Sequence, residues 1–103
     1  GLNLSSYASA KAALVQLTKS MALELARSNI RVNALAPGYI LTEINQDFFN
    51  TDEGKSYIGK IPMKRLGLES ELDGALLLLA SNASSFMTGS VITIDGGHVV
   101  NPL

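Results

Sequence analysis

The stretch Ile-Arg-Val-Asn-Ala-Leu-Ala-Pro-Gly at residues 30–38 decides the fold. Ile30 and Val32 are β-branched residues that favour an extended strand. The pair Pro37–Gly38 ends this strand sharply, because proline has no N–H to donate to a sheet and glycine turns easily. These features predict a β-strand over residues 30–36, and the flanking segments indicate what the strand pairs with.

Toward the C-terminus, residues 69–81 predict a helix and residues 91–94 predict a second strand. Ser70 is a candidate cap of this helix. The predicted buried face of the helix consists of Leu72, Ala75, Leu76 and Leu79. The order strand, helix, strand predicts a βαβ unit with parallel strands and a right-handed crossover. The sequence Asp95-Gly96-Gly97 is interpreted as a tight turn after the second strand.

Toward the N-terminus, residues 5–27 predict a long helix with apolar residues on two faces. A helix of this kind is expected to be buried on two sides. Ser28–Asn29 is the candidate stop, because asparagine tolerates a left-handed backbone.

The connection between residues 39 and 66 shows a weaker pattern. Thr42 is a candidate cap of one short helix, and Thr51 or Asp52 of another. Three aromatic residues lie in this connection, and two interpretations stay open for them, lining of a substrate pocket and packing of the loop: Phe48, Phe49 and Tyr57.

Two parallel strands and two main helices do not make a closed fold. Parallel sheets are normally covered by helices on both faces, and two strands alone are marginally stable. The sequence therefore predicts an α/β chain that is part of something larger.

Composition excludes several classes of function. The chain is 47% hydrophobic, and eight basic against nine acidic residues give a net charge of −1 without a basic block. Nothing in the sequence therefore favours binding of nucleic acid or of an anionic membrane. Cysteine is absent, and the single histidine, His98, is interpreted as a surface or interface residue, so no metal site is predicted. The longest apolar run, Ala75–Ala80, is too short to span a bilayer, and we expect a cytoplasmic protein.

The sharpest chemical feature is Tyr7-Ala8-Ser9-Ala10-Lys11. A Tyr and a Lys four residues apart lie on the same face of a helix. At about 4.5 Å and an effective dielectric constant of about 20, the ammonium group stabilises a phenolate by on the order of 3–4 kcal/mol. This stabilisation lowers the pKa of the phenol toward neutrality, which suits proton transfer to or from an alcohol or carbonyl oxygen. On its own, the spacing is more typical of a solvated surface pair.

The order of several motifs makes the pattern specific. After Tyr7-x-x-x-Lys11 come the stretch at residues 30–38, Pro62-Met63-Lys64-Arg65-Leu66-Gly67, and Asp95-Gly96-Gly97. In this order and spacing, the chain resembles the C-terminal half of the short-chain dehydrogenase/reductase family over nearly its whole length. Within that family, it leans toward the sugar-acid dehydrogenase and 3-oxoacyl-carrier-protein reductase types. The resemblance implies an α/β fold, the C-terminal portion of a doubly wound, Rossmann-like parallel sheet.

The resemblance also implies residue roles. Tyr7 matches the catalytic acid/base and is also among the implied cofactor-binding residues. Lys11 matches the residue that lowers the pKa of Tyr7 and holds the nicotinamide ribose hydroxyls. Pro37–Gly38 matches the turn beside the nicotinamide. Ile40 matches a position whose backbone contacts the carboxamide, and Thr42 matches a hydroxyl that contacts the carboxamide or the pyrophosphate.

The resemblance further implies a cofactor, NAD or NADP, and a small alcohol or ketone as substrate, with residues 43–60 as the substrate loop. The glycine-rich phosphate-binding turn and the catalytic serine of the family are missing, so residues 1–103 are expected to be the C-terminal half of one dehydrogenase domain. The expected function is therefore NAD(P)-dependent alcohol–ketone interconversion by a parent enzyme that forms a dimer or tetramer. The alternative is an inactive truncated fragment that persists as an oligomerisation module.

Overall fold

The computed structural model describes the backbone of residues 2–98 and the side chains of residues 8–98. In chain order, the elements are α1 (Leu2–Ala26), β1 (Ala34–Pro37), α2 (Gln46–Phe49), α3 (Asp52–Gly59), α4 (Asp73–Ala80) and β2 (Val91–Ile94), with short 3-10 turns at Glu69–Leu72 and Asn82–Ser84. Two compact units make up the chain: Gly1–Ala36 with Ala75–Ile92, and Pro37–Gly74 with Thr93–Leu103. Across residues 2–98, none of the helices has the length and apolar character that crossing a membrane requires.

Helix α1 ends where the asparagine predicted it. Asn29 adopts a left-handed conformation with φ of 60°. Its N–H donates to the carbonyl of Ala26 at 2.9 Å, and the N–H of Ile30 donates to the carbonyl of Leu25 at 3.2 Å. This pair of bonds is a Schellman motif, which satisfies carbonyls that the end of a helix would otherwise leave unpaired.

Burial of α1 on two sides is not found within the described residues. Thr18 and Ala22 are buried, one turn apart, and the Thr18 hydroxyl donates to the carbonyl of Leu14 at 2.7 Å. In contrast, Leu17 is 58% exposed and Leu23 is 82% exposed. The helix therefore carries an apolar surface that the described chain leaves open.

Arg31 makes several hydrogen bonds within the first unit. Its guanidinium donates to the backbone carbonyls of Leu79, Ser81, Ser84 and Met87, and also to the Ser84 hydroxyl at 2.9 Å. Leu79 lies in the last turn of α4, where a positive charge is favourable, and the other carbonyls follow the helix. One partly buried cation thus links the end of α4, the Asn82–Ser84 turn and Met87 through carbonyls that also accept other hydrogen bonds.

The two strands form a parallel two-stranded sheet, as the sequence predicted. Ala34 donates its N–H to the carbonyl of Ser90 at 2.9 Å, and Gly38 donates to the carbonyl of Ile94 at 2.9 Å. Strand β2 has its predicted bounds. The start of β1 was predicted too early, because it begins at Ala34 and not at residue 30.

The second unit contains α2 and α3, joined through an aromatic cluster. Thr51 caps α3, accepting from the N–H of Gly54 at 3.1 Å. Phe49 is buried, and Gly54 packs directly against the backbone of Phe48 and Phe49. Ring contacts between 5.2 and 5.9 Å link the members of the cluster: Tyr39, Phe48, Phe49, Tyr57 and His98.

The helix predicted over residues 69–81 is two elements. A 3-10 turn, Glu69–Leu72, precedes α4. The predicted cap at Ser70 is wrong: the capping position is Leu68, whose N–H donates to the Glu71 carboxylate at 2.9 Å. The predicted buried face of this helix is not found: Leu76 is 52% exposed, and the other three residues are half-buried, namely Leu72, Ala75 and Leu79.

Candidate functional site

Tyr7 and Lys11 both lie on α1, one helical turn apart. The side chain of Tyr7 lies outside the described side chains. Lys11 is half-buried. The continuous helix through both positions provides the i, i+4 relation that the proposed proton-transfer pair requires.

Pro37 is the last residue of β1 and Gly38 follows it, while Asp95 follows the end of β2. These two backbones come very close. A Cβ added at Gly38 would lie 2.6 Å from the Cβ and 2.8 Å from the Cα of Asp95. Glycine is therefore required at position 38 by the space available. In open parallel sheets, ligands bind beside the carboxyl ends of the strands, which is where this turn lies.

The segment after this turn pairs with Gly67. Leu41 donates its N–H to the carbonyl of Gly67 at 2.8 Å, and Gly67 donates to the carbonyl of Tyr39 at 2.9 Å. In this parallel pattern, the residue between the two bonded positions has both of its own polar groups on the opposite edge. Ile40 therefore turns its N–H and its carbonyl away from Gly67.

The side chain of Asn45 lies at the edge toward which the N–H and the carbonyl of Ile40 point. Its Nδ2 donates to the carbonyl of Ile40 at 2.8 Å, and its Oδ1 accepts from the N–H of Thr42 at 2.8 Å. The N–H of Asn45 in turn donates to the Thr42 hydroxyl oxygen at 3.3 Å. Thr42 thus caps only the turn at residues 43–45. Helix α2 begins at Gln46 and its capping position is Asn45, so the prediction that Thr42 caps the short helix is wrong.

The donors of this segment are suited to a carboxamide. The Thr42 hydroxyl oxygen accepts a bond from Asn45, so its hydrogen is not used in that bond and can be donated to a carbonyl oxygen. Ile40 offers a backbone N–H on the edge away from Gly67. Two donors from one short segment, close to the carboxyl end of a strand, fit the amide group of a nicotinamide.

The aromatic residues of the second unit pack against one another. Phe49 is 8% exposed, which supports loop packing, whereas Phe48 is 41% exposed. Burial, and then the neighbouring Tyr57, raise the pKa of Tyr39, so this phenol stays protonated near neutral pH. His98 was interpreted as a surface or interface residue. The surface alternative is wrong, because His98 is buried and its ring lies 5.3 Å from that of Tyr39.

An ion pair borders a small cavity beside Tyr39 and Ile40. The Arg65 guanidinium makes two bonds to the Glu71 carboxylate, at 2.7 and 2.9 Å, and this pairing lowers the pKa of Glu71 to about 2. The cavity has a volume of about 160 Å³. Sites for small molecules usually occupy roughly 300–1,000 Å³, so this cavity alone is too small for a substrate and cofactor.

Sequence reasoning missed Asn45. The pattern that could have found it is Thr42-x-x-Asn45, because its reciprocal bonds resemble those of a capping box, with Asn in place of Glu or Gln. The contact from Asn45 to Ile40 has no comparable local pattern.

Comparison with known proteins gives the family. A family model described as enoyl-(acyl carrier protein) reductase matches residues 2–99. The sorbose reductase of Candida albicans is 49% identical over 92 residues, which are 89% of this chain and 32% of that protein. The chain thus spans about a third of the length of this curated relative.

Solved structures agree with this comparison. A short-chain type dehydrogenase/reductase from Mycobacterium marinum is 52% identical, with a TM-score of 0.79 over 91% of this chain and 36% of that chain. A gluconate 5-dehydrogenase from Burkholderia cenocepacia, in complex with NADP and tartrate, is 39% identical, with a TM-score of 0.79 over 91% and 37%. A putative D-mannonate oxidoreductase from Haemophilus influenza with bound NAD is 34% identical, with a TM-score of 0.82 over 91% and 36%. The chain therefore belongs to the short-chain dehydrogenase/reductase family.

Proposed function

We propose that the protein containing this chain is an NAD(P)-dependent oxidoreductase that interconverts an alcohol and a ketone. The observation that carries the proposal is the Tyr7-x-x-x-Lys11 spacing on a continuous helix in a chain of this family. Two solved relatives bind NAD and NADP, respectively, which supports a nicotinamide cofactor of either kind.

In this proposal, Tyr7 is the acid/base and Lys11 favours its ionised form. Tyr7 gives its phenolic proton to the carbonyl oxygen during reduction and takes a proton from the hydroxyl during oxidation. A positive charge one turn away on the helix lowers the cost of the phenolate that this exchange requires. When bound, the nicotinamide supplies or accepts the hydride at the substrate carbon.

Pro37, Gly38, Ile40 and Thr42 are proposed to hold the nicotinamide. The chemistry of the donors supports this assignment, because the Ile40 N–H and the Thr42 hydroxyl can both donate to a carboxamide oxygen. The close approach of Gly38 to Asp95 fixes the path of the turn from which these donors extend.

Residues 43–60 are proposed as the substrate region of a domain whose cofactor-binding half is not contained in these 103 residues. The region holds α2 and α3, and Phe48 is the most exposed of its three aromatic residues. The relatives named above act, by their names, on sorbose, gluconate and D-mannonate. We therefore propose a small polyol, ketose or sugar acid as substrate, handled in the cytoplasm.

The test is Tyr7→Phe in the whole protein, with Ser9→Ala on the same helix as the control. Removal of a general acid/base is expected to lower turnover by about 10²–10⁴-fold. The dissociation constant for NADH or NADPH is expected to change far less than turnover, because Lys11 and the cofactor contacts proposed for Pro37 to Thr42 are untouched. Turnover by Tyr7→Phe equal to that of Ser9→Ala, on a panel of ketoses and sugar acids, would contradict the proposal.

A second proposal concerns assembly as a dimer or tetramer. The observation that favours it is the apolar surface of α1, where Leu17 and Leu23 are 58% and 82% exposed. An apolar surface of this kind is typical of a packing interface. Leu23→Glu is expected to shift the mass measured by light scattering toward a smaller species, whereas an unchanged mass would contradict a role for this surface.

A further inference from the structure

The side-chain amide of Asn45 is bonded at both ends to the same short segment. Its Oδ1 accepts a hydrogen bond from the N–H of Thr42, and its Nδ2 donates one to the carbonyl of Ile40, both at 2.8 Å. Asn45 is half-buried, whereas the preceding residue, Ile44, is 96% exposed. The asparagine thus faces the segment that precedes it.

These two bonds are made on the edge of the segment that does not pair with Gly67. Gly67 pairs with the N–H of Leu41 and the carbonyl of Tyr39, so the polar groups of Ile40 lie on the other edge. Because the N–H and carbonyl of one extended residue point the same way, the Ile40 N–H lies on the edge where Asn45 holds the Ile40 carbonyl. Gly67 on one edge and Asn45 on the other together fix the direction of this N–H.

We infer that Asn45 is a positioning residue for the nicotinamide carboxamide, acting through the Ile40 N–H and the Thr42 hydroxyl. The inference rests on the proposed function, because it takes these two groups as the carboxamide donors. Asn45 itself touches neither the reacting atoms nor the carboxamide in this account. Its contribution is to hold two donors in one arrangement before the cofactor binds.

The chemistry of the amide makes the inference testable with a nearly isosteric change. Asn45→Asp keeps an oxygen acceptor for the Thr42 N–H but replaces the Nδ2 donor with a second oxygen. That oxygen would face the carbonyl oxygen of Ile40, and two acceptors cannot bond. The bond to the Ile40 carbonyl is therefore lost, while the bond from the Thr42 N–H is retained.

The experiment compares two ligands in the whole protein. One is whichever of NADH and NADPH the protein binds, and the other is the corresponding molecule without nicotinamide, ADP-ribose or its 2′-phosphate. Asn45→Asp is expected to weaken binding of the dinucleotide by about tenfold, which is the effect of losing one well-directed hydrogen bond. Binding of the ADP-ribose compound is expected to stay within about twofold, because it makes no carboxamide contact. Asn82→Asp, at an exposed asparagine outside the proposed substrate region, adds the same charge and is the control, which should leave both constants unchanged.

The outcomes distinguish a positioning role of Asn45 from a general effect on binding and from an effect of the added charge. Equal weakening of both ligands, or of neither, would overturn the positioning role. Asn45→Ser removes the Nδ2 donor without adding a negative charge, and it must show the same selective loss, since otherwise the effect of Asn45→Asp arises from charge. Failure of the parent protein to bind either dinucleotide would refute the proposed function itself, and the inference would fall with it.

Discussion

Replacing Gly54 with alanine probes how α2 and α3 pack, because this glycine has no room for a side chain. A Cβ at position 54 would lie 2.2 Å from the carbonyl oxygen of Phe48 and 2.5 Å from the Cα of Phe49. Both are backbone atoms, so the clash can be relieved only if one helix moves. Such a movement would disturb the buried ring of Phe49 and its contacts with Tyr39 and Phe48.

The expected change in the free energy of unfolding follows from two opposing effects. In a helix, alanine is favoured over glycine by about 1 kcal/mol. Overpacking a filled site costs about 1–3 kcal/mol, and backbone contacts this short belong at the upper end of that range. We therefore expect Gly54→Ala to lower the free energy of unfolding by about 2 kcal/mol. Gly59, at the end of the same helix, has no atom within 4 Å of an added Cβ, so Gly59→Ala should raise it by about 0.4–1 kcal/mol.

Urea unfolding of both variants and the parent, followed by far-ultraviolet circular dichroism, measures these changes. The account predicts opposite signs for two glycine-to-alanine changes in one eight-residue helix. If Gly54→Ala were as stable as the parent, or if both variants lost equal stability, the packing argument would be refuted.

Two further predictions concern charged groups. Arg31→Met should lower the free energy of unfolding by about 3 kcal/mol, because several partly buried carbonyls lose a charged donor, whereas Arg27→Met should change it by less than about 0.5 kcal/mol. Arg27 makes one exposed bond to the carbonyl of Glu24, and equal losses in the two variants under chemical denaturation would contradict the role of Arg31. The pKa of Glu71 is lowered from 4.5 to about 2 by its bonds to Arg65 and Leu68, so its stabilising effect is complete above pH 4.5 and is lost as the pH falls through 2. The melting temperatures of Glu71→Gln and the parent should therefore converge at pH 2 and separate toward pH 6, and a constant difference over this range would contradict the ion pair.

The elements fixed by local chemistry could be predicted from the sequence. Strand β2, the turn at Gly96 and Gly97, and the left-handed stop at Asn29 depend on residues within a few positions of one another. The cap at Thr51 is of the same kind. Each of these features is decided by propensity or by one short hydrogen bond.

Elements whose partners are distant in sequence could not be predicted in the same way. The N–H of Val32 donates to the Thr88 hydroxyl, and the Asn33 amide bonds to Met87 and Ser90, so these residues leave the ladder and β1 begins late. Burial of His98 depends on a ring 59 positions earlier in the chain, so no local pattern predicts it.

The residues of the candidate site likewise include some that the local sequence predicts and some that depend on distant partners. The spacing of Tyr7 and Lys11, and the sequence of Pro37 and Gly38, could be interpreted directly. The need for glycine at position 38 depends on Asp95, which follows a different strand. The role inferred for Asn45 required the pairing with Gly67, because only that pairing defines which edge of Ile40 is open.

The measurement that tests the central claim most directly is a titration of the whole protein with NADH and with NADPH, followed by nicotinamide fluorescence. The account predicts saturable binding of at least one of them, with half-saturation below about 1 mM. Absence of a fluorescence change with both, in protein that circular dichroism shows to be folded, would contradict the assignment as an NAD(P)-dependent oxidoreductase.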